Sequence, residues 1–197
     1  LSGGGEPPFR GRLLINRLGR PGSMAKSDAF YIRAQVTAGS GNYSQTEIPL
    51  GSFVNLGVKS STLLRIHSVQ VAVTDATNAE TPPSHTSGFG IGWQLTTETQ
   101  SDLVYMNDKS VVASGLNAGY NGQTASSTYG TAFASDAFNL NPSDFMKGYL
   151  VGVDSLFLGS ECNVTLATGD YNVDVILECT LENSTQASAT ALALSQQ

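Results

Sequence analysis

Histidine and cysteine, the residues most often used in nucleophilic and metal chemistry, are few and widely spaced in this sequence of 197 residues. The histidines are His67 and His85, and the cysteines are Cys162 and Cys179. Zinc sites bring such ligands together at short, recognisable spacings, which these four residues lack. The nucleophile elbow Gly-x-Ser-x-Gly of serine hydrolases does not occur either. The sequence therefore predicts a protein that is not an enzyme and that holds neither a cofactor nor a metal.

The pattern favours structural interpretations for the same four residues. His67 falls inside a strand pattern, where a satisfied structural histidine is more common than a general base. His85 lies in a proline-rich stretch and is expected to be solvated. Cys162 and Cys179 would pair only if the fold placed them on adjacent strands, and free, buried thiols are the simpler expectation.

Two groups of carboxylates offer weaker chemical hypotheses. Glu98 and Asp102 stand four residues apart, so they could form the carboxylate pair that glycosidases need. Asp154, Asp170 and Asp174 could meet at a calcium ion if loop ends converge. Neither spacing is specific, and solvated surface carboxylates are the more common outcome.

The charge is distributed unevenly along the chain. Residues 1–33 carry a net charge of +4 and residues 34–197 a net charge of −10. Arginines form bidentate hydrogen bonds with phosphates, and a flexible segment needs no fixed register to do so. We therefore expect a non-specific contact between this segment and an anionic partner, either nucleic acid or a membrane surface. The residues expected to make the contact are Arg10, Arg12, Arg17 and Arg20.

Alternation of apolar and polar residues dominates from Phe30 onward and predicts half-buried strands. Phe30–Val36 and Val173–Leu181 are the clearest examples. About eight strands joined by loops of unequal length predict an all-β, two-sheet antiparallel sandwich and favour an eight-stranded jelly roll. Residues 116–134 are expected to form a long loop, and Leu103–Tyr105 a short strand.

Three local patterns refine this prediction. The apolar parity changes at His67-Ser68, which indicates a β-bulge. Gly88, Gly90 and Gly92 alternate with apolar residues, so either the strand bends sharply there or another chain lies close to its outer face. Asn141-Pro142-Ser143-Asp144 is a good helix start, and it predicts a short helical turn within residues 141–148.

The predicted domain organisation has three parts. Residues 1–29 form a basic, partly flexible amino-terminal arm, of which 1–23 could also be a removable leader. Residues 30–183 form the sandwich, and residues 184–197 form a polar tail that is either helical on contact or disordered. No stretch has the length of a transmembrane helix, and residues 1–23 lack the apolar core of a secretory signal.

Residues 30–183 resemble the single-jelly-roll capsid proteins of non-enveloped or tailless icosahedral viruses. The resemblance rests on the basic arm at Arg10–Arg20, the charge-poor body, about eight strands, and the final strand Tyr171–Glu182 followed by a polar tail. It implies a self-assembling subunit of an icosahedral shell, located in the virion. Its partners would be copies of itself and other capsid proteins, with no small-molecule substrate, and its arm would face genome, an internal membrane or neighbouring subunits.

Two other functions remain open from the sequence. An extracellular carbohydrate-binding β-sandwich module would stack sugar rings on exposed aromatic residues such as Tyr105, Tyr120 and Tyr129. A hydrolase would use Glu98 or Asp102.

Overall fold

The computed structural model describes residues 28–39, 41–56, 60–81, 83–85, 88–120 and 132–196. In these ranges the chain forms nine strands, a 3-10 turn at Pro142–Asp144 and one α-helix, α1, at Gln186–Ser195. The strands are β1 Phe30–Ala38, β2 Ser44–Pro49, β3 Ser60–Asp75, β4 Phe89–Thr96, β5 Val111–Tyr120, β6 Ala132–Leu140, β7 Tyr149–Val151, β8 Ser155–Cys162 and β9 Tyr171–Thr185.

The strands form two antiparallel sheets, one in the order β1-β9-β3-β7 and the other in the order β2-β8-β4-β5-β6. The first four strands alternate between the sheets, with β1 and β3 in one and β2 and β4 in the other. The first strands pair with the last, β1 with β9 and β2 with β8. This wrapping of a long antiparallel hairpin defines the jelly roll, so the predicted fold is confirmed. One strand exceeds the expected eight: β6 extends the second sheet beside β5.

The core lies between the inner faces of the two sheets. Val173, Val175, Leu177 and Cys179 of β9 are all buried, as their alternation predicts. They face apolar residues of β4 and β8 in one continuous cluster. Each fully buried aliphatic side chain stabilises the fold by roughly 1.5–3 kcal/mol, so this cluster is the main source of stability.

The β-bulge predicted at His67-Ser68 is confirmed. The pairing of β3 with β9 shifts register between Ile66 and Ser68. Ile66 and Val69, which differ in sequence parity, are consequently both buried in the core. The extra residue returns the second half of β3 to the same face.

Two of the detailed sequence predictions are wrong. Residues 116–134 are not one long loop, because β5 continues to Tyr120 and β6 begins at Ala132. One small residue that suggested a loop packs against a large ring instead, because a Cβ at Gly119 would meet Phe89. Residues 103–105 are also not a strand.

The helical turn predicted after Asn141 is present as a 3-10 turn. Asn141 Oδ1 accepts a hydrogen bond from Ser143 N at 3.2 Å, and Asn141 N donates to Asp144 Oδ2 at 3.1 Å. These reciprocal bonds form a capping box. The turn ends before Gly148, whose φ of 64° favours glycine.

At the carboxyl end, β9 runs to Thr185 and leads directly into α1. Thr185 Oγ1 accepts from Ser188 N at 3.3 Å and so caps the helix. Beyond α1, Gln196 Oε1 accepts from Gly152 N at 2.8 Å and Gln196 Nε2 donates to Leu150 O at 2.6 Å. Its carbonyl also accepts from Thr97 Oγ1. These bonds hold the end of the described chain against one end of the sandwich.

Candidate assembly surfaces

Residues 97–110, which connect β4 to β5, lie across the outer face of the five-stranded sheet. The buried amide of Gln94 holds them there: its Oε1 accepts from Val104 N at 2.9 Å and its Nε2 donates to Asp102 O at 3.1 Å. Leu103 occupies the space that a side chain at Gly92 would fill. The glycines of β4 thus leave room for a neighbouring chain segment, and that segment belongs to the same molecule.

This loop displays two apolar side chains to solvent. Tyr105 is 88% exposed and Met106 is 50% exposed. The turn beneath them is fixed by Asp108, whose amide donates to Tyr105 O at 2.9 Å and whose carboxylate accepts from Ser110 N at 2.9 Å. Exposed apolar side chains on a hydrogen-bonded turn are suited to contact with another protein surface.

A carboxyl pair lies under the same loop. The pKa of Glu161 is raised, first by its hydrogen bond with Asp102, then by burial and by the charge of Asp102. Two carboxyl groups at hydrogen-bond distance favour sharing one proton, because the doubly ionised pair repels itself. The pair therefore adds a pH-dependent contact between the loop and β8.

A second apolar turn follows the 3-10 turn. Phe145 is 54% exposed and Met146 is 100% exposed. Beside them Arg65 forms a bidentate ion pair with Glu182 and donates from Nη1 to Lys147 O at 2.6 Å. The planar guanidinium thus ties this turn to β3 and β9.

The outer face of the four-stranded sheet is covered mainly by cross-strand polar pairs. Gln35 Nε2 donates to Asp174 Oδ1 at 2.7 Å. Thr37 Oγ1 donates to Asn172 Oδ1 at 2.7 Å. Such pairs satisfy polar groups within the molecule and leave few unpaired charges on this face, which favours contact with another protein over contact with a strongly charged ligand.

The four arginines predicted to meet an anionic partner, Arg10, Arg12, Arg17 and Arg20, lie outside the described residues. His67 is on β3, and its Nε2 lies 2.9 Å from Thr180 Oγ1. Cys162 and Cys179 are both free and buried. Burial raises the pKa of the Cys179 thiol to about 12, so at neutral pH it is an apolar core group and a poor nucleophile.

The predicted carboxylate groups do not assemble as proposed from spacing. Asp102 pairs with Glu161, which sequence spacing could not suggest. The contact found for Glu98 is through its carbonyl, which accepts from Thr96 Oγ1 at 2.7 Å. Over the described part of the chain, no three His, Cys, Asp or Glu side chains come together as metal ligands, and Asp154, Asp170 and Asp174 are no exception.

For the sugar-stacking hypothesis, Tyr105 is exposed, Tyr120 ends β5, and Tyr129 lies outside the described residues. None of the described helices has both the length and the apolarity needed to cross a membrane.

The sequence matches no protein family and no curated protein. Among solved structures, the chain is similar to VP1 of Human Polyomavirus 12 in complex with 3'-sialyllactosamine, with a TM-score of 0.41, 9% identity, and coverage of 80% of this chain and 100% of that one. It is similar to the unassembled VP1 pentamer of Merkel Cell Polyomavirus, with a TM-score of 0.38, 9% identity, and coverage of 77% and 95%.

Desmodium yellow mottle tymovirus gives a TM-score of 0.29 at 8% identity, with coverage of 94% of each chain. The strand order of the two sheets by itself assigns this chain to the jelly-roll fold.

Proposed function

We propose that this protein is a structural subunit of a virus capsid, which assembles with other copies of itself into an icosahedral shell and is located in the virion. The observation that carries the proposal is the pair of apolar turns at Tyr105–Met106 and Phe145–Met146, displayed by a closed sandwich. Exposed apolar groups held by hydrogen bonds are costly in an isolated soluble domain and favourable where subunits meet.

Composition supports the same proposal. Only 13% of the residues are charged, about half of the usual share. Charged residues are depleted in the cores of protein interfaces, so a surface with few charges suits contact between subunits. A non-catalytic role follows from this proposal.

The amino-terminal arm completes the proposal. Residues 1–27 carry five cations against Glu6. In a shell, this segment would face inward or sideways, toward genome, an internal membrane or neighbouring subunits. Its cations would bind anionic groups without sequence specificity.

The test is the mass of the native full-length protein, measured by light scattering and electron microscopy. We expect closed shells, and Met146→Asp or Tyr105→Asp should shift the population toward free subunits, because each places a charge in an apolar contact. Thr99→Asp adds the same charge at an exposed position of the same loop, outside the apolar turn, and should leave assembly intact. A monodisperse monomer at every concentration and pH tried would refute the proposal.

A carbohydrate-binding module is the second candidate, and the exposure of Tyr105 is the observation that favours it. A single ring provides one stacking platform, so this candidate has less support. Binding to a glycan array that is abolished by Tyr105→Ala, from a protein that stays monomeric, would favour it over the shell.

A further inference from the structure

The edge of β3 that faces away from β9 is covered only in part. β7 pairs with Leu64, Arg65 and Ile66. After the bulge the side chain of Asn141 hydrogen-bonds this edge. Asn141 Nδ2 donates to Val69 O at 2.8 Å, and Val69 N donates to Asn141 Oδ1 at 3.2 Å. At the far end Asp75 N donates to Thr81 O at 2.8 Å.

Between these two caps, the described part of the chain leaves the strand edge open. Backbone groups of an antiparallel strand point alternately to its two neighbours. The amides and carbonyls of Val71 and Val73 therefore point the same way as those of Val69, away from β9. Among the described residues none hydrogen-bonds them on that side. The open edge lies within a stretch of about 20 Å, from residue 69 to residue 75.

A cleft of about 450 Å³ opens beside this edge, between the two sheets. Val71 of β3 and Trp93 of β4 form its apolar part, and Asn117, Asn139 and Asn141 supply amides. Val71 and Val73 are only half-buried, although their alternation directs them to the core side. An open strand edge next to a cleft that offers both apolar side chains and amides is the arrangement that an added strand completes.

We propose that an extended segment from a second copy of this chain adds to β3 here, and that the segment is residues 12–18 of its amino-terminal arm. This deepens the proposed function and rests on it, because the copies must lie side by side.

Three features favour this occupant. Leu13-Leu14-Ile15 is the longest apolar run in residues 1–27, and alternate side chains of a strand would reach Val71 and Trp93. The segment carries Arg12 and Arg17, whereas Asp144 is the charged residue among those lining the cleft. The nine residues that separate position 18 from position 28 span up to about 30 Å when extended, so the segment can lie well away from the start of β1.

The test is disulfide trapping in the full-length protein. Val71→Cys is combined in turn with Leu13→Cys, Leu14→Cys and Ile15→Cys, and the products are separated on non-reducing gels. The native cysteines are buried, so the new thiols should react first. The matched control is Ala72→Cys, which is exposed on the opposite face of the same strand.

We expect covalent dimers with Val71→Cys and several-fold less with Ala72→Cys. The yield should alternate along the arm, so that Leu13→Cys and Ile15→Cys behave alike and Leu14→Cys differs, because alternate residues of a strand face the cleft. Equal yields at all three positions, no cross-link, or a cross-link within one chain would each overturn the proposal.

Particle mass measured on the same samples separates the two proposals. Shells without cross-links would refute the docking of the arm and leave the shell function in place. Cross-linked dimers that never grow further would support the docking and refute the shell.

Discussion

Gln94 hydrogen-bonds Val104 through its side chain, with Oε1 accepting from the backbone amide at 2.9 Å. The same side chain donates to Asp102 O. One side-chain amide thus makes the two kinds of backbone contact, donating and accepting, that a neighbouring strand would make. Because Gln94 lies on the outer face of β4, this interaction covers a sheet surface that would otherwise meet solvent. It also presents Tyr105 and Met106 for contact.

Replacing Gln94 by Leu should release residues 97–110 from the sheet. Two backbone groups would lose their partner, so we expect the free energy of unfolding to fall by about 1–3 kcal/mol. Amide hydrogen exchange should accelerate at Val104 and its neighbours. Gln70→Leu, at an exposed position of β3, is the control and should change neither quantity appreciably. Equal effects of both substitutions would contradict the role of Gln94.

The carboxyl pair should make stability depend on pH. The raised pKa of Glu161 means that the folded protein holds this proton more tightly than the unfolded chain does. The stabilisation is therefore complete below the ordinary pKa of 4.5 and is lost as pH rises through the raised value. In Glu161→Gln this loss should disappear, so the variant should gain stability relative to the natural protein as pH rises. Urea unfolding across this pH range measures the difference.

Asp108, in the same loop, should show the opposite dependence. Hydrogen bonds from the side chain and backbone of Ser110 lower its pKa. Its contribution is present above the ordinary pKa of 3.8 and is lost as pH falls through the lowered value. Asp108→Asn should therefore be less stable than the natural protein at neutral pH, with the difference shrinking in acid. A difference that is independent of pH would contradict this assignment.

Alanine substitutions at three glycines should separate the cost of a left-handed backbone from the cost of a steric clash at Cβ. Gly148 has a φ of 64°, and a Cβ there would collide with the carbonyl oxygen of Ile66. Gly169 has a φ of 87° with nothing within 4 Å. Gly169→Ala should cost about 1–2 kcal/mol of unfolding free energy, the cost of a left-handed alanine, and Gly148→Ala should cost more. Gly51→Ala, with open space and no positive φ, is the control and should be nearly neutral.

Gln196 should stabilise the end of the sandwich. Its side chain bonds Gly152 N and Leu150 O, so Gln196→Ala leaves both without that partner. We expect a loss of about 1–3 kcal/mol in thermal or urea unfolding. Gln186→Ala, at the exposed start of α1, is the matched control. If both variants unfolded like the natural protein, the end of the chain would not be part of the cooperative unit.

Several features of the fold follow from residues close together in sequence. The alternation in β1 and β9, the bulge after Ile66 and the cap at Asn141 each depend on a few consecutive side chains, and all three were predictable. The second half of β5 was not predictable, because Gly119 is typical of loops until Phe89 is known to cover it.

The candidate surfaces depended on longer-range contacts. Glycine on the outer face of β4 indicated either a bend or another chain, whereas the residue that lies beside Gly92 is Leu103 of the same molecule. Asp102 lies four residues from Glu98 in sequence, but its carboxyl group pairs with that of Glu161. The open edge of β3 had no sequence signal, since it arises from the shortness of β7 and from the position of Asn141.

The sequence by itself therefore determined which residues face the core and where a strand must bulge or stop, because side-chain alternation and capping act over a few bonds. Only the tertiary structure decided what covers each sheet. Thr97 donates a hydrogen bond to the carbonyl of Gln196, which lies 99 positions away in sequence. Asn141 donates one to the carbonyl of Val69, which lies 72 positions away. Contacts at such separations depend on how the two sheets pack, which no local pattern encodes.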